Sequence, residues 1–386
     1  MSHNSSFRPP VLWGVLFIAG LLLAAPTVHA QSGPSLRSVE RPIRVSLDPT
    51  YQYYNTSEDR TLSELSTYLT ASVPIGQRFT VQARAGYAQM DAEQLAEDQP
   101  TAQVRGLTDA VGRIMYVQPV GSNSLVGGES SLVISATVNV PVGASKFERE
   151  ELTTTRFISR DFYDFNVSSF SRGPSISPQI TYAFPVNDRF SLGIGASYQH
   201  YRGFQPNAGL SSDSLYTPGD GIGGNVGMNY KLTETSALGA DFAFRRYATD
   251  EINGQTTFDA GNRFSGTVRY LRRDGFTTIR AIARYARWDE SKFSYTNGAE
   301  QGQVLPSHVM LLGEYKTRLT EMIDLRARVS GYRYEETVQA DTKVFGRVYV
   351  SPSFELTDQI AVAPHGTTTY GSFLGLGGGL RIEGQF

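Results

Sequence analysis

The sequence predicts an all-β fold, namely a transmembrane antiparallel β-barrel with sixteen strands, or fourteen as the alternative. Three observations predict it: the chain opens on an apolar leader, apolar and polar residues then alternate, and short turns alternate with long polar loops. Only every second residue of a barrel strand faces lipid. A mean hydropathy of -0.27 is therefore compatible with this fold.

The composition excludes several classes of protein. The 386 residues include no cysteine, which excludes a disulfide-stapled fold, a thiolate metal site and a cysteine nucleophile. The 35 Lys and Arg residues nearly balance the 37 Asp and Glu residues, so no positive excess exists to neutralise phosphates and no nucleic-acid partner is expected. The 21 Tyr and 21 Phe residues argue against intrinsic disorder.

The first thirty residues have the features of a secretory signal peptide. An apolar run from Val11 to Ala25 is ended by Pro26, and Val28-His29-Ala30 offers a small-residue cleavage site. The run is shorter than the ~20 residues that a membrane-spanning helix needs, which disfavours an uncleaved anchor. We expect residues 1–30 to be a signal peptide, 31–41 a short periplasmic segment and 42–386 an outer-membrane β-barrel.

Period-two alternation is clearest from Arg189 to Gln199 and from Ile222 to Leu232. In the first segment, apolar residues such as Ile194 share one face, and small polar residues such as Ser197 share the other. Such runs reach the ~9–11 residues of a tilted membrane strand and exceed the ~5–6 residues usual in soluble sheets. A soluble β-sandwich or propeller is therefore the weaker alternative.

Sixteen strand centres follow from this pattern. They lie near Tyr51, Tyr68, Ala83, Gly112, Ala136, Ile180, Ile194, Val226, Phe242, Val268, Ala281, Leu311, Ala327, Val348, Val362 and Gly378. The fifteenth is the weakest, because Pro364 cannot donate a hydrogen bond to a ladder, and losing it with a neighbour would give fourteen strands.

Short and long connections alternate along the chain. Short turns are expected at 76–78, 186–188, 233–235, 274–275, 320–321 and 357–358, and long polar stretches at 91–105, 144–174, 203–218 and 289–304. Bacterial outer-membrane barrels have this asymmetry, with short periplasmic turns and longer extracellular loops.

The C-terminus carries the sharpest motif. Leu380, Ile382 and Phe386 alternate with Arg381 and other polar residues along the last expected strand. A terminal aromatic residue on such a strand resembles the signature by which the barrel-assembly machinery recognises bacterial outer-membrane proteins. The resemblance implies location in the outer membrane, contact with its lipids, and the assembly machinery as a partner during biogenesis.

The polar face of the alternation should line the lumen. It carries Arg84, Arg113, Arg245, Arg269, Arg280, Arg284, Glu314, Arg326, Arg328, Arg347 and Arg381. These residues are the predicted pore lining. In one interpretation the arginine excess gives the pore a weak preference for anions. In the other, each arginine pairs with a carboxylate and fills the barrel.

The longest loop and the histidines leave further alternatives. The stretch from Ala144 to Pro174 is rich in aromatic residues, so we expect it to narrow the pore by folding into the lumen or capping its mouth. The alternative is a loop that packs on its neighbours outside the barrel. His200, His308 and His365 show no spacing for a nucleophile and its base or for a metal. We expect no enzyme activity, no cofactor and no metal.

Two short motifs resemble a transporter family. Gly106-Leu107-Thr108-Asp109 opens one expected strand, and Val138-Asn139-Val140-Pro141-Val142-Gly143 closes the next. Together they resemble the outer-membrane transporter family linked to meta-pathway phenol degradation, in which Gly is usual where Thr108 stands. The resemblance implies uptake of small compounds, among them aromatic ones. The third-loop position of residues 144–174 also resembles that of sixteen-stranded general porins.

The sequence as a whole predicts an outer-membrane channel for passive diffusion or uptake of small solutes. The alternative is a closed or plugged barrel with a structural or surface-interaction role. Neither the solute nor the oligomeric state follows from the sequence.

Overall fold

The computed structural model describes residues 42–56, 61–93, 102–123, 128–143, 151, 170, 173–205, 215–295, 298–338 and 341–386. The expected signal peptide and periplasmic segment, and most of the loop at 144–174, lie outside the described residues. In the described part, no helix has the length and apolar character needed to cross a membrane.

Strands make up nearly all of the described chain. In chain order they are β1 (Arg44–Thr56), β2 (Thr61–Ile75), β3 (Phe79–Glu93), β4 (Ala102–Leu107), β5 (Ala110–Asn123), β6 (Gly128–Val140), β7 (Ser175–Pro185), β8 (Phe190–Tyr201), β9 (Tyr216–Thr217), β10 (Gly221–Lys231), β11 (Ser236–Tyr247), β12 (Asp250–Ile252), β13 (Gln255–Asp259), β14 (Asn262–Asp274), β15 (Thr277–Trp288), β16 (Ser291–Tyr295), β17 (Gly298–Gly302), β18 (His308–Thr320), β19 (Ile323–Tyr334), β20 (Lys343–Glu355), β21 (Ile360–Gly371) and β22 (Phe373–Gln385).

The main sheet closes on itself as an antiparallel barrel. Each of its strands pairs with the next along the chain, and β1 pairs with β22. The short strand β4 pairs with one half of β3 and β5 with the other, so these two share one position. The described strands thus fill sixteen positions, each of the sixteen expected centres lies in its own position, and the predicted fold class is confirmed.

Proline does not interrupt the fifteenth position. Within β21, Pro364 stays in register opposite Leu380 of β22. On its other side, the ladder to β20 omits the pairs between Gly366 and Val362, and Ser351 donates its hydroxyl to the Pro364 carbonyl at 3.1 Å. The strand therefore tolerates a residue that lacks a backbone donor, and the count is sixteen rather than fourteen.

The outer wall is apolar. Side chains such as Ile194, Val226, Phe242 and Leu311 alternate outward and are each more than half exposed. The residues beside the first three point inward and are small or polar, whereas Met310 and Leu312, beside Leu311, are apolar. An apolar band around a closed barrel suits lipid, because closure leaves no unpaired strand edge within the membrane.

The two ends of the barrel differ. Connections such as 186–189 and 232–235 form the short-turn end, which also holds Ile43 and Phe386. The long-loop end carries a second sheet of five described strands in the order β17-β16-β13-β12-β9. The sequence interpretation missed this sheet and treated 203–218 and 289–304 as polar loops.

Candidate functional site

The predicted pore-lining residues all lie on the inward face of the barrel wall. By strand register they are Arg84 (β3), Arg113 (β5), Arg245 (β11), Arg269 (β14), Arg280 and Arg284 (β15), Glu314 (β18), Arg326 and Arg328 (β19), Arg347 (β20) and Arg381 (β22). Most of them belong to the second half of the chain. The lumen therefore has an arginine-rich wall from β11 to β22.

Glu314 organises the centre of this wall. Arg326 and Arg328 both donate to its Oε2 atom, with shortest distances of 2.6 and 2.9 Å. Arg280, from the neighbouring strand β15, lies 4.0 Å from its Oε1 atom. Three guanidinium groups thus share one carboxylate, and the cluster keeps a net positive charge.

Two other arginines have their own carboxylates. Arg381 donates to Asp48 Oδ2 at 2.8 Å, across the seam where the first and last strands meet. Arg269 lies 2.8 Å from Asp241 Oδ2 on the adjacent strand. The geometry of these two residues agrees with the interpretation that inward arginines pair with carboxylates.

Four further inward arginines make contacts with uncharged groups. Arg84 lies over the Tyr68 ring at 3.6 Å, and the nearly buried Arg113 donates to Ser135 Oγ at 3.4 Å. Arg245 donates to Gln199 at 3.4 Å, and Arg347 lies 5.9 Å from the Tyr332 ring centre. These contacts help to hold the guanidinium groups in place.

A cavity of about 350 Å³ opens on the lumen side of β1 and β18 to β22. Arginines and aromatic groups line it, among them Arg326, Arg328, Arg347, Arg381 and Tyr349, with Asp48 as the carboxylate in the lining. The cavity combines a positive wall with ring faces.

The inward glycines of β22 provide the room for this cavity. Gly377 lines it, and a Cβ there would lie 3.2 Å from the Gln52 side chain. A Cβ on Gly379 would lie 2.4 Å from the Pro49 carbonyl and 2.7 Å from the His365 ring. These close approaches favour a residue without a Cβ atom at both positions.

A cluster of aromatic and aliphatic side chains begins in the cavity lining, at Met310 and Tyr332, and continues toward the long-loop end. This interior cluster contains Tyr54, Leu62, Ala88, Met90, Ala92, Val104, Phe170, Ile282, Met310, Tyr332, Tyr334, Phe345 and Phe373. Its rings stack closely, with centroids 4.8 Å apart for Tyr332 and Phe345 and 4.9 Å apart for His308 and Tyr334. The sequence interpretation missed it, because it assigned apolar residues to the lipid side.

Phe170 connects the longest loop with this cluster. It is one of the two described residues between 144 and 172, and only 8% of its surface is exposed. Its place among inward side chains of β1 to β4 and β18 to β22 agrees with the hypothesis that this loop enters the lumen. The rest of that hypothesis lies outside the described residues.

The three histidines lie on different strands of the barrel. His200 faces outward and lies 3.0 Å from Asp220, whereas His308 and His365 face inward on separate strands. Among the residues that the structure describes, no group of three or more His, Cys, Asp or Glu could hold a metal ion.

The predicted assembly motif lies beside the seam. Leu380 and Ile382 point outward from β22 and are each more than a third exposed. Phe386 exchanges two backbone hydrogen bonds with Ile43, at 2.8 and 2.9 Å, and its ring is 63% exposed.

Comparison with known proteins gives structural neighbours only. No family model matches the sequence, and no curated protein matches it. Among solved structures, the chain is similar to an outer-membrane channel from Pseudomonas putida F1, at 10% identity and a TM-score of 0.41, over 92% of this chain and 99% of the other. It is also similar to Pseudomonas aeruginosa OpdQ (9% identity, TM-score 0.43, 90% and 99% covered) and to Salmonella typhi OmpF (11%, 0.42, 89% and 97%).

Proposed function

We propose that this protein is a channel of the bacterial outer membrane that passes small solutes by diffusion or uptake, and that it favours small organic anions. The cavity on the lumen side of β1 and β18 to β22 is the observation that carries the proposal. Outer-membrane location is supported by the apolar outer wall, the closed barrel and the asymmetry between its ends.

The charges at the cavity support the anion preference. Four arginines line it, Asp48 is the lining carboxylate, and the adjoining Glu314 is shared by three guanidinium groups. A positive wall lowers the free energy of an anion relative to a cation of the same size. Planar guanidinium forks are well suited to carboxylates, which they bind through two parallel hydrogen bonds.

The rings around the cavity support a solute with an apolar part. Tyr349 lies in the lining with the His365 ring stacked at 5.7 Å, and the interior cluster packs beyond it. A small carboxylate with an aliphatic or aromatic body would place its charge on the arginines and its body against these rings. This solute class agrees with the aromatic compounds implied by the family resemblance of the sequence.

Single-channel recording in a planar bilayer under a salt gradient tests the proposal. We expect stepwise openings and a reversal potential on the anion side. Arg347→Gln should move that potential toward cations, because it removes one charge from the cavity wall. The matched control is Arg272→Gln, a change at an exposed outward arginine of the short-turn end. Cation preference in the unmodified protein would refute the anion assignment.

A closed barrel with a structural or surface-interaction role is the second candidate. It is favoured by the interior cluster, in which Leu62, Met90 and Ala92 have no exposed surface, and by the second sheet at the long-loop end. A folded barrel that never conducts would support this candidate and reject the channel.

A further inference from the structure

Three outward-facing arginines lie at the long-loop end of the barrel, at the border of its apolar wall. They are Arg246 on β11, Arg287 on β15 and Arg333 on β19, here called the arginine row, and all three are exposed. Within the described residues, none of the three guanidinium groups takes part in an ion pair or a side-chain hydrogen bond. They differ in this from the inward Arg269 and Arg381, each of which has a carboxylate partner.

The strand register places the row at one height in the membrane. Arg246 pairs with Asn262 of β14, whereas Arg287 pairs with Phe264, two residues nearer the short-turn end. Arg287 lies one residue beyond Ala286, which pairs with His308 of β18, whereas Arg333 pairs with Val309 of the same strand. Relative to Arg287, Arg333 is therefore also displaced by two residues toward the short-turn end. Tilted barrel strands are staggered by about one residue per strand, so residues displaced in this way lie level. Neighbouring members are then about 12 Å apart.

Two members of the row lie among lipid-facing neighbours. Arg246 is opposite Ile222, and Arg333 is flanked by Val309 and Val344, all of which are exposed apolar residues. An arginine in this setting lays its aliphatic stem along the apolar wall and extends its guanidinium group into the headgroup layer. The row therefore marks the level at which hydrocarbon gives way to headgroups.

Among the residues that the structure describes, no carboxylate forms an ion pair with the row. Asp289 accepts a hydrogen bond from the Asn262 amide at 2.9 Å, and Asp220 is engaged by His200 at 3.0 Å. Glu335 lies two residues beyond Arg333 and forms no ion pair with the row in the described part of the chain. At the short-turn end the pattern is different, since Arg272 pairs with Asp274 at 2.9 Å and Lys231 with Glu234 at 2.7 Å.

We propose that the arginine row binds phosphate groups on the sugar headgroup of a glycolipid in the outer leaflet of the membrane. Guanidinium groups bind phosphate through paired, charge-assisted hydrogen bonds, and a row of them spaced along the wall can engage several phosphates at once. This proposal rests on the proposed function only for location in the outer membrane, where the long-loop end faces outward. It does not depend on conduction through the lumen.

Native mass spectrometry of the detergent-purified protein tests whether the arginine row binds a phosphorylated glycolipid. The probes are bisphosphorylated lipid A, the same lipid without its phosphates, and phosphatidylglycerol. We expect retention of the phosphorylated lipid A above the other two. Each Arg→Gln change at 246, 287 or 333 should weaken it roughly fivefold, and the triple variant roughly a hundredfold if the effects add.

The matched control is a triple Gln variant at Arg78, Arg189 and Arg272, exposed arginines of the short-turn end. It should retain lipid A as the unmodified protein does. Equal retention by the row variant, or of lipid A lacking phosphate, would overturn the proposal. Equal retention of phosphatidylglycerol would overturn the glycolipid assignment and leave general attraction to anionic lipid. Conductance of the unmodified protein in a neutral phosphatidylcholine bilayer tests the channel proposal separately from the lipid-binding proposal. A protein that conducts normally but does not retain lipid A would reject only the lipid-binding proposal.

Discussion

Glu314 keeps two like-charged groups together inside the lumen. Its Oε2 atom accepts hydrogen bonds from both Arg326 and Arg328, and only 12% of its side chain is exposed. Without the carboxylate, these guanidinium groups and Arg280 would repel one another in a space with limited access to water. The residue therefore contributes both to stability and to the charge balance of the cavity.

We expect Glu314→Gln to lower the free energy of unfolding by roughly 2 kcal/mol, because a partly buried carboxylate that bridges two charged donors is lost. The same change should shift the reversal potential further toward anions. Denaturant unfolding followed by tryptophan fluorescence and bilayer recording measure the two effects. Glu321→Gln, in an exposed turn, is the control and should change neither. Unaltered selectivity in Glu314→Gln would show that the cluster does not face the ion path.

At the scale of elements, Asp220 fixes the start of β10 against the end of β8. It accepts hydrogen bonds from the Tyr198 hydroxyl and, at 3.1 Å, from the Tyr201 backbone N–H, and His200 Nδ1 lies 3.0 Å away. Desolvation acts to raise the pKa of Asp220, but these contacts outweigh it and bring the pKa below its ordinary value of 3.8. The ionised carboxylate is thus the form that holds the junction.

A carboxyl group with a lowered pKa stabilises the folded state at neutral pH, and this contribution is lost as the pH falls from about 3.8 through the folded-state pKa. We expect Asp220→Asn to lower the thermal unfolding midpoint at pH 7 and to lower it less at pH 2.5. Circular dichroism in detergent at both pH values measures it. Asp188→Asn, in an exposed turn, should track the unmodified protein. An equal loss at both pH values would mean that packing, and not charge, explains the effect.

The barrel strands could be predicted from the sequence because each strand has its own local alternation of apolar and polar residues. Alternation around Ile194 or Val226 reports both the strand and its outward face, and the turns between strands are short and polar. The interior cluster could not be predicted in this way. Leu62, Met90 and Phe345 look like lipid-facing residues until pairing with neighbouring strands shows that they point inward. That assignment depends on register, which is set by contacts distant in sequence.

The second sheet escaped prediction for a related reason. Its strand β9 has two residues and β12 has three, which is too short for a periodic signal. They are held by contacts far apart in the chain, such as the pairing of Ile252 with Tyr216 and the hydrogen bond from the Gly219 N–H to Asp250 at 2.7 Å. Sequence patterns detect structure that each strand specifies alone, and they miss structure that forms only when distant loops meet.

For the whole molecule, closure depends on the pairing of its first and last strands. β1 and β22 are joined by backbone pairing along their length and by the ion pair of Arg381 with Asp48. Phe386 ends the seam, and its backbone pairs with Ile43 while its ring remains exposed. The backbone of this residue therefore helps to close the finished barrel, and its exposed ring takes no part in that pairing.

We expect Phe386→Ala to leave refolding in detergent unchanged and to reduce severalfold the amount of folded barrel in the outer membrane of an expressing cell. Alanine keeps both backbone hydrogen bonds with Ile43 and removes only the exposed ring. Heat-modifiable migration on gels measures the folded fraction in both settings. Phe276→Ala, at an exposed turn residue distant from the seam, is the control and should assemble normally. The assembly machinery is present in cells and absent from the detergent refolding. A lower folded fraction in cells alone would therefore mean that the machinery recognises the ring. A deficit in both would assign it to stability, and normal assembly in cells would refute the signature.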